Sequence, residues 1–144
     1  MPEVSSTIEV SVSPDKLMAV ITDFAAYPSF LPEMLAVDVL RARPPEWEVR
    51  FTLRLIRPLL YTLHLTQPDP LHLRWTLVEG VFQHNSGEWS LSPLDDGLRT
   101  RATYSLDLAV AIFVPGNLVR SLTDRSLPEM LARFKAEAEQ RHLL

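Results

Sequence analysis

Residues 46–55 read EWEVRFTLRL, an unbroken alternation. Trp47, Val49, Phe51, Leu53 and Leu55 share one phase, and Glu46, Glu48, Arg50, Thr52 and Arg54 the other. Successive side chains of a β-strand point to opposite faces, so this segment makes a strand with one apolar and one charged face. The same period continues downstream. Tyr61, Leu63 and Leu65 alternate with Thr62, His64 and Thr66, and Leu71, Leu73, Trp75 and Leu77 with His72, Arg74 and Thr76. Trp89 and Leu91 stand against Glu88 and Ser90, then Leu98, Ala102, Tyr104, Leu106 and Leu108 against Arg99, Arg101, Thr103, Ser105 and Asp107. Upstream, Val37 and Val39 belong to a further strand, and Val4, Ile8, Val10 and Val12 alternate with polar residues at the start of the chain. Turn-formers punctuate the run at Pro44-Pro45, Arg57-Pro58, Pro68-Asp69-Pro70, Glu79-Gly80 and Asp95-Asp96-Gly97. Connections this short join antiparallel neighbours.

Helical spacing flanks the strands. Ser13 is placed to cap a helix that Pro14 opens, and Leu17, Val20, Ile21 and Phe24 form its buried face. Tyr27-Pro28 and Leu31-Pro32 cut the pattern into a short turn and a connector. After Gly116, Leu118, Leu122, Leu127, Leu131, Phe134 and Ala138 make one apolar stripe, with Lys135, Glu137, Glu139 and Arg141 on the solvated side. That predicts a helix from about Gly116 to Gln140, with a kink or fresh start near Ser126-Leu127 imposed by Pro128. A sheet with one apolar face needs a cover, and this helix supplies it. The expected fold is α+β: a curved antiparallel sheet of about seven strands wrapped around a long C-terminal helix. With neither repeat nor linker, residues 1–144 form one domain.

Composition narrows the function. A formal net charge of −4 without a basic cluster argues against nucleic acid, whose phosphates call for a basic face. The absence of cysteine removes disulfides, thiolate catalysis and sulfur-bound metals together. The start of the chain lacks a secretory pattern, and the longest apolar stretch, Leu108 to Pro115, is far below the ~20 residues that span a bilayer. The expected setting is cytoplasmic.

Three stretches then carry a resemblance. Residues 23–32 read DFAAYPSFLP after the first helix. Glu79-Gly80-Val81-Phe82 is followed by Gly87-Glu88-Trp89 and by Asp96-Gly97-Leu98-Arg99-Thr100. Residues 127–139 read LPEMLARFKAEAE. In this order the chain resembles, over essentially its whole length, the START-like helix-grip superfamily and its polyketide cyclase/dehydrase and coenzyme-Q-binding group. The resemblance implies a cavity between sheet and terminal helix that holds lipids, quinones, polyketides or other hydrophobic molecules. It leaves the chemistry open, because relatives include carriers, cyclases and ribosome-associated proteins.

Signs of chemistry are sparse. His64, His72 and His84 fall on outward phases and His142 lies in the tail, so no metal-ligand spacing forms. Asp23 and Glu33 flank the Tyr27–Pro32 connector, and Asp23 reads as a local hydrogen-bonding residue at the helix exit rather than half of an acid/base pair. Glu129 and Lys135 read as solvated helix residues. No phosphate loop or nucleophile elbow is present. The polar inward inventory is Tyr61, Asn85, Thr100 and Tyr104, without a general base. No catalytic residue, metal ligand or cofactor is therefore assigned.

The expected ligand-binding residues are the inward apolar and aromatic ones. They are Phe51, Leu53, Tyr61 and Leu63 on the middle strands, then Trp75, Leu77, Trp89 and Tyr104 on the later ones. Met130, Leu131 and Phe134 join them from the helix. The run from Leu108 to Val119 reads as packing of the last strand's end, or alternatively as an apolar rim that meets a membrane or partner. The leading expectation is a non-enzymatic binder or carrier of a small hydrophobic molecule. A polyketide cyclase, aromatase or dehydratase is the enzymatic alternative, and a ribosome or protein interaction module the third.

Overall fold

In the computed structural model, which describes residues 3–54, 58–110 and 126–142, the alternation becomes seven strands in one sheet. These are β1 (Glu3–Val10), β2 (Met34–Arg43), β3 (Glu46–Arg54), β4 (Pro58–Asp69), β5 (His72–Gly80), β6 (Phe82–Leu94) and β7 (Arg99–Val110). Helices α1 (Pro14–Ile21) and α2 (Tyr27–Phe30) stand between β1 and β2, and α3 (Leu127–Arg141) follows β7. Every pairing is antiparallel and the spatial order is β1-β7-β6-β5-β4-β3-β2. Strands β2 to β7 thus form a meander, as short turns require, and only β1 joins out of sequence, against β7.

Register carries the apolar phase across the sheet. Val4, Leu106, Gly87, Trp75, Leu65 and Trp47 stand in one row, and Ser6, Tyr104 and Trp89 in the next. This face is concave toward the helices. Leu131, Phe134 and Ala138 of α3 bury against it, and Leu17, Val20 and Ile21 of α1 complete the core. The expected α+β helix-grip architecture is what the chain adopts.

Polar bonds pin the C-terminal half of α3. Lys135 Nζ donates to the Glu9 carbonyl oxygen at 3.1 Å and to Glu139 Oε2 at 2.6 Å, while Glu139 Oε2 accepts the Ser11 backbone N–H at 2.8 Å. Arg141 Nη1 donates to Asp23 Oδ2 at 3.1 Å. Lys135 and Glu139 are therefore ties between α3 and the end of β1, a correction to their reading as merely solvated. Asp23 is corrected likewise, since its carboxylate serves the C-terminal helix rather than its own loop.

Other departures are local. Ser13 occupies the cap position of α1, yet its hydroxyl turns to Asp15 Oδ1 instead of a backbone N–H. Leu98 lies in the turn before β7 and is 73% exposed, so it does not share the inward phase of that strand. Thr62, on the outward phase, is only 2% exposed between its register neighbours Arg50 and Glu79. Edge strand β2 has irregular pairing around Leu35 and Leu40, both 44% exposed. The expected start of the final helix near Gly116, and residues 111–119 of the apolar run, lie outside the described residues.

Candidate functional site: the concave face

Strand β7 shows how the interior changes along the sheet. Its inward residues Thr100 and Ala102 are 0% exposed, closed over beside Val10 and α1. The next inward residues, Tyr104, Leu106 and Leu108, are only half-buried. Ser6 and Val4, their partners on β1, behave the same way, as do Leu77, Tyr61 and Leu53 farther across the sheet. Inward-facing side chains that keep accessible surface border space rather than packed atoms. This half of the concave face is the candidate site.

Aromatic rings frame it in two arms that diverge from Tyr27 and Phe134, whose centroids are 5.3 Å apart. One arm runs through Phe51 to Tyr61 and Phe82. The other runs through Trp89 to Tyr104 and Trp75. Edge-to-face and offset contacts of this kind hold each ring at a fixed angle. Phe30, from α2, packs its ring on Phe134 at 5.2 Å.

The second arm depends on a glycine. Gly87 pairs with Trp75, and a methyl group there would lie 2.4 Å from the indole and 2.3 Å from the Ser105 carbonyl oxygen. Only a residue without a side chain lets the indole lie down on β6. In that position Trp75 Nε1 donates to Asn85 Oδ1 at 3.1 Å.

The polar groups of the interior are neutral. Burial raises the Tyr61 phenol well above its ordinary value, and burial with the nearby Tyr61 ring does the same for Tyr104. Both are protonated donors at any physiological pH. Tyr27 is raised chiefly by burial too, and its hydroxyl donates to the Ile21 carbonyl oxygen at 2.5 Å. Thr100 donates to the Val12 carbonyl oxygen at 2.8 Å. Among the described residues, no charged side chain occupies an inward position of β1, β3 to β7 or the apolar stripe of α3. The arrangement can enclose an uncharged molecule and offer it hydrogen-bond donors.

The eleven residues expected to bind ligand all sit on these inward faces, in two groups. Phe51, Leu63, Trp75, Trp89, Leu131 and Phe134 are buried and serve as supporting core. Leu53, Tyr61, Leu77, Tyr104 and Met130 keep accessible surface and border the open half. Residues absent from that set also take part: Leu106 and Leu108 on the wall, Tyr27 and Phe30 in the aromatic frame, and Asn85. Leu106 and Leu108 carried the same alternation signal as Tyr104, while Tyr27 and Phe30 were hidden in a connector rich in proline.

The outer face carries His64, His72 and His84, all partly exposed. His64 meets Glu46, and His72 meets Asp69. At His84, Ser86 Oγ and Asp107 Oδ2 both approach the same nitrogen, Nε2, at 3.0 and 3.3 Å. A nucleophilic triad needs the carboxylate on the other ring nitrogen, so this trio cannot relay a proton from the serine. Among the described residues, no three His, Asp or Glu side chains are grouped to hold a metal, and no helix is long and apolar enough to cross a membrane.

Solved structures share this architecture. An aromatase/cyclase (Zhui) from a Streptomyces species superposes with a TM-score of 0.85 at 20% identity, covering 97% of this chain and 94% of that one. A START superfamily protein from Mycobacterium smegmatis gives 0.83 at 24% identity, over 96% and 97%. A STAR-related lipid transfer protein from Xanthomonas axonopodis gives 0.75 at 17% identity, over 95% and 85%. At these identities the likeness establishes the fold. No functionally curated protein matches the chain in sequence. Residues 10–135 match a family described as polyketide cyclase/dehydrase and lipid transport. Because that match runs from the last residue of β1 to the middle of α3, and so takes in the whole concave wall from β2 to β7, the chain belongs to the polyketide cyclase/dehydrase and lipid transport family.

Proposed function

We propose that the chain binds or carries a small, uncharged hydrophobic molecule between the open half of the concave face and α3, without transforming it. One observation carries the reading: the inward phase of β7 passes from complete burial at Thr100 and Ala102 to accessible surface at Tyr104, Leu106 and Leu108, with no inward charge nearby among the described residues. Removing apolar surface from water contributes about 25 cal/mol per Å², so a ligand burying a few hundred Å² reaches roughly micromolar affinity without a charged contact. The family's lipid-transport description and the lipid-transfer protein among the structural neighbours support the same ligand class.

Nile red or a quinone analogue should bind with one-to-one stoichiometry, and binding should survive replacement of every histidine by Gln. Native mass spectrometry of protein purified from its own host, with extraction of whatever co-purifies, would identify the natural ligand. Recovery of only water-soluble, charged molecules would defeat the reading.

A second reading has one observation in its favour. The Tyr61 and Tyr104 phenols could polarise a substrate carbonyl, as a cyclase or dehydratase requires. What it lacks is an inward base among the described residues. Turnover of a polyketide-like substrate, lost in Tyr104→Phe, would move the chain to that class.

A further inference from the structure

Asn85 brings more polarity into the interior than its neighbour requires. It lies on β6 with its side chain 5% exposed, and its Oδ1 accepts the Trp75 indole N–H. An indole nitrogen can only donate, so the amide must present its oxygen there and hold Nδ2, with two N–H groups, on the other side. Satisfying the indole needs one acceptor, which a hydroxyl or carbonyl would provide. The amide adds two N–H donors that the indole does not use.

Its surroundings restrict what could supply the acceptor. Leu108, directly across on β7, and Leu106 beside it keep accessible surface, as do Tyr104 and Tyr61. Among the described residues, the inward positions of β1, β3 to β7 and the apolar stripe of α3 carry no cation for a carboxylate or phosphate and no anion for an amine. A pure hydrocarbon would offer Nδ2 no acceptor. We propose that Asn85, oriented by Trp75, is the specificity-determining group of the pocket, and that its ligand presents a carbonyl oxygen to Nδ2 on an otherwise apolar, uncharged frame. The proposal rests on reading the concave face as a ligand pocket. It names the ligand as a ketone, quinone or ester rather than a fatty acid, a phospholipid headgroup or a hydrocarbon.

Fluorenone and fluorene test this, because they share a shape and differ by a carbonyl in place of a methylene. Each is titrated by displacement of Nile red from the wild-type chain and from Asn85→Leu and Asn85→Asp, the second of which keeps an acceptor for Trp75. The ratio of fluorenone to fluorene affinity should fall about tenfold in both variants, the scale of one lost hydrogen bond, while fluorene binding persists. An unchanged ratio, with both ligands bound, overturns the assignment to Asn85. If wild type binds neither ligand nor Nile red, the pocket reading itself fails, which is a different result. Should both variants fail to fold, the infrared carbonyl band of fluorenone bound to wild type decides. A band shifted down from its position in alkane, and unmoved by Tyr61→Phe or Tyr104→Phe, supports Asn85, and a band at the alkane position overturns it.

Discussion

The two halves of β7 obey one sequence rule and meet different fates. Thr100 and Ala102 face inward and vanish under the helices, whereas Tyr104, Leu106 and Leu108 face inward and stay accessible. The first half is gripped where α1 and the tied end of α3 close on the sheet. The second half is where packing gives way to room. Alternation selects a face, and what lies opposite that face decides whether a residue is core or wall.

The largest effect should come from charge at the closed half. Leu131→Asp places an unpaired carboxylate against the sheet where Leu131 is fully buried, and should cost about 3–5 kcal/mol or abolish folding. Urea denaturation followed by circular dichroism measures it, and near-native stability would remove α3 from its place as cover. The contrast between halves is tested by truncation. Leu73→Ala, in the closed core, should cost about 2–5 kcal/mol through the cavity it leaves. Leu106→Ala should cost roughly 1 kcal/mol, because its site is already partly open, and should alter probe affinity instead. Equal losses at the two positions would mean that the open half is packed after all.

Alkaline titration gives a smaller effect with a defined sign. Burial raises the phenols of Tyr27, Tyr61 and Tyr104, so above about pH 10 the unfolded chain loses these protons while the folded chain keeps them. Stability is fully present below that pH and should fall as pH rises through it. Tyr61→Phe and Tyr104→Phe should each make the decline in urea midpoint shallower. Ligand affinity should stay flat between about pH 5 and 9, since among the described residues the ionisable groups on the inward faces of β4 and β7 are phenols that burial raises above that range. Smallest of all, Lys135→Met should cost about 0.5–1.5 kcal/mol by freeing the Glu9 carbonyl and Glu139, read from the shift in melting temperature. An unchanged melting temperature would return Lys135 to the status of a solvated residue.

Much of the fold was legible because period-two alternation is unambiguous in Val49–Phe51, Leu63–Leu65 and Leu73–Trp75, all of which point inward and bury. Leu73 and Leu77 have the same sequence phase, however, and nothing local distinguishes the packed leucine from the accessible one. Lys135 looked solvated because periodicity reports the direction of a Cβ, while a long side chain can reach back to a neighbouring strand. Tyr27 and Phe30 were obscured by Pro28 and Pro32, which announce a connector and say nothing of rings packed within it. The Trp75–Asn85 bond depends on the register that the turn near Gly80 imposes on β5 and β6. Its parts could be read in the sequence, but their meeting could not.

The uneven margin at β2 bears on how the molecule lives among copies of itself. A long outer strand with protruding leucines is a template on which another chain could lay down its own backbone, and then another. Leu35 and Leu40 sit where the ladder to β3 loses step. Each break turns the free edge and interrupts its row of N–H and C=O groups. A newcomer would find only short stretches in register between the two breaks. The same leucines that look like an invitation to stack thus mark the places where endless growth of the sheet is refused.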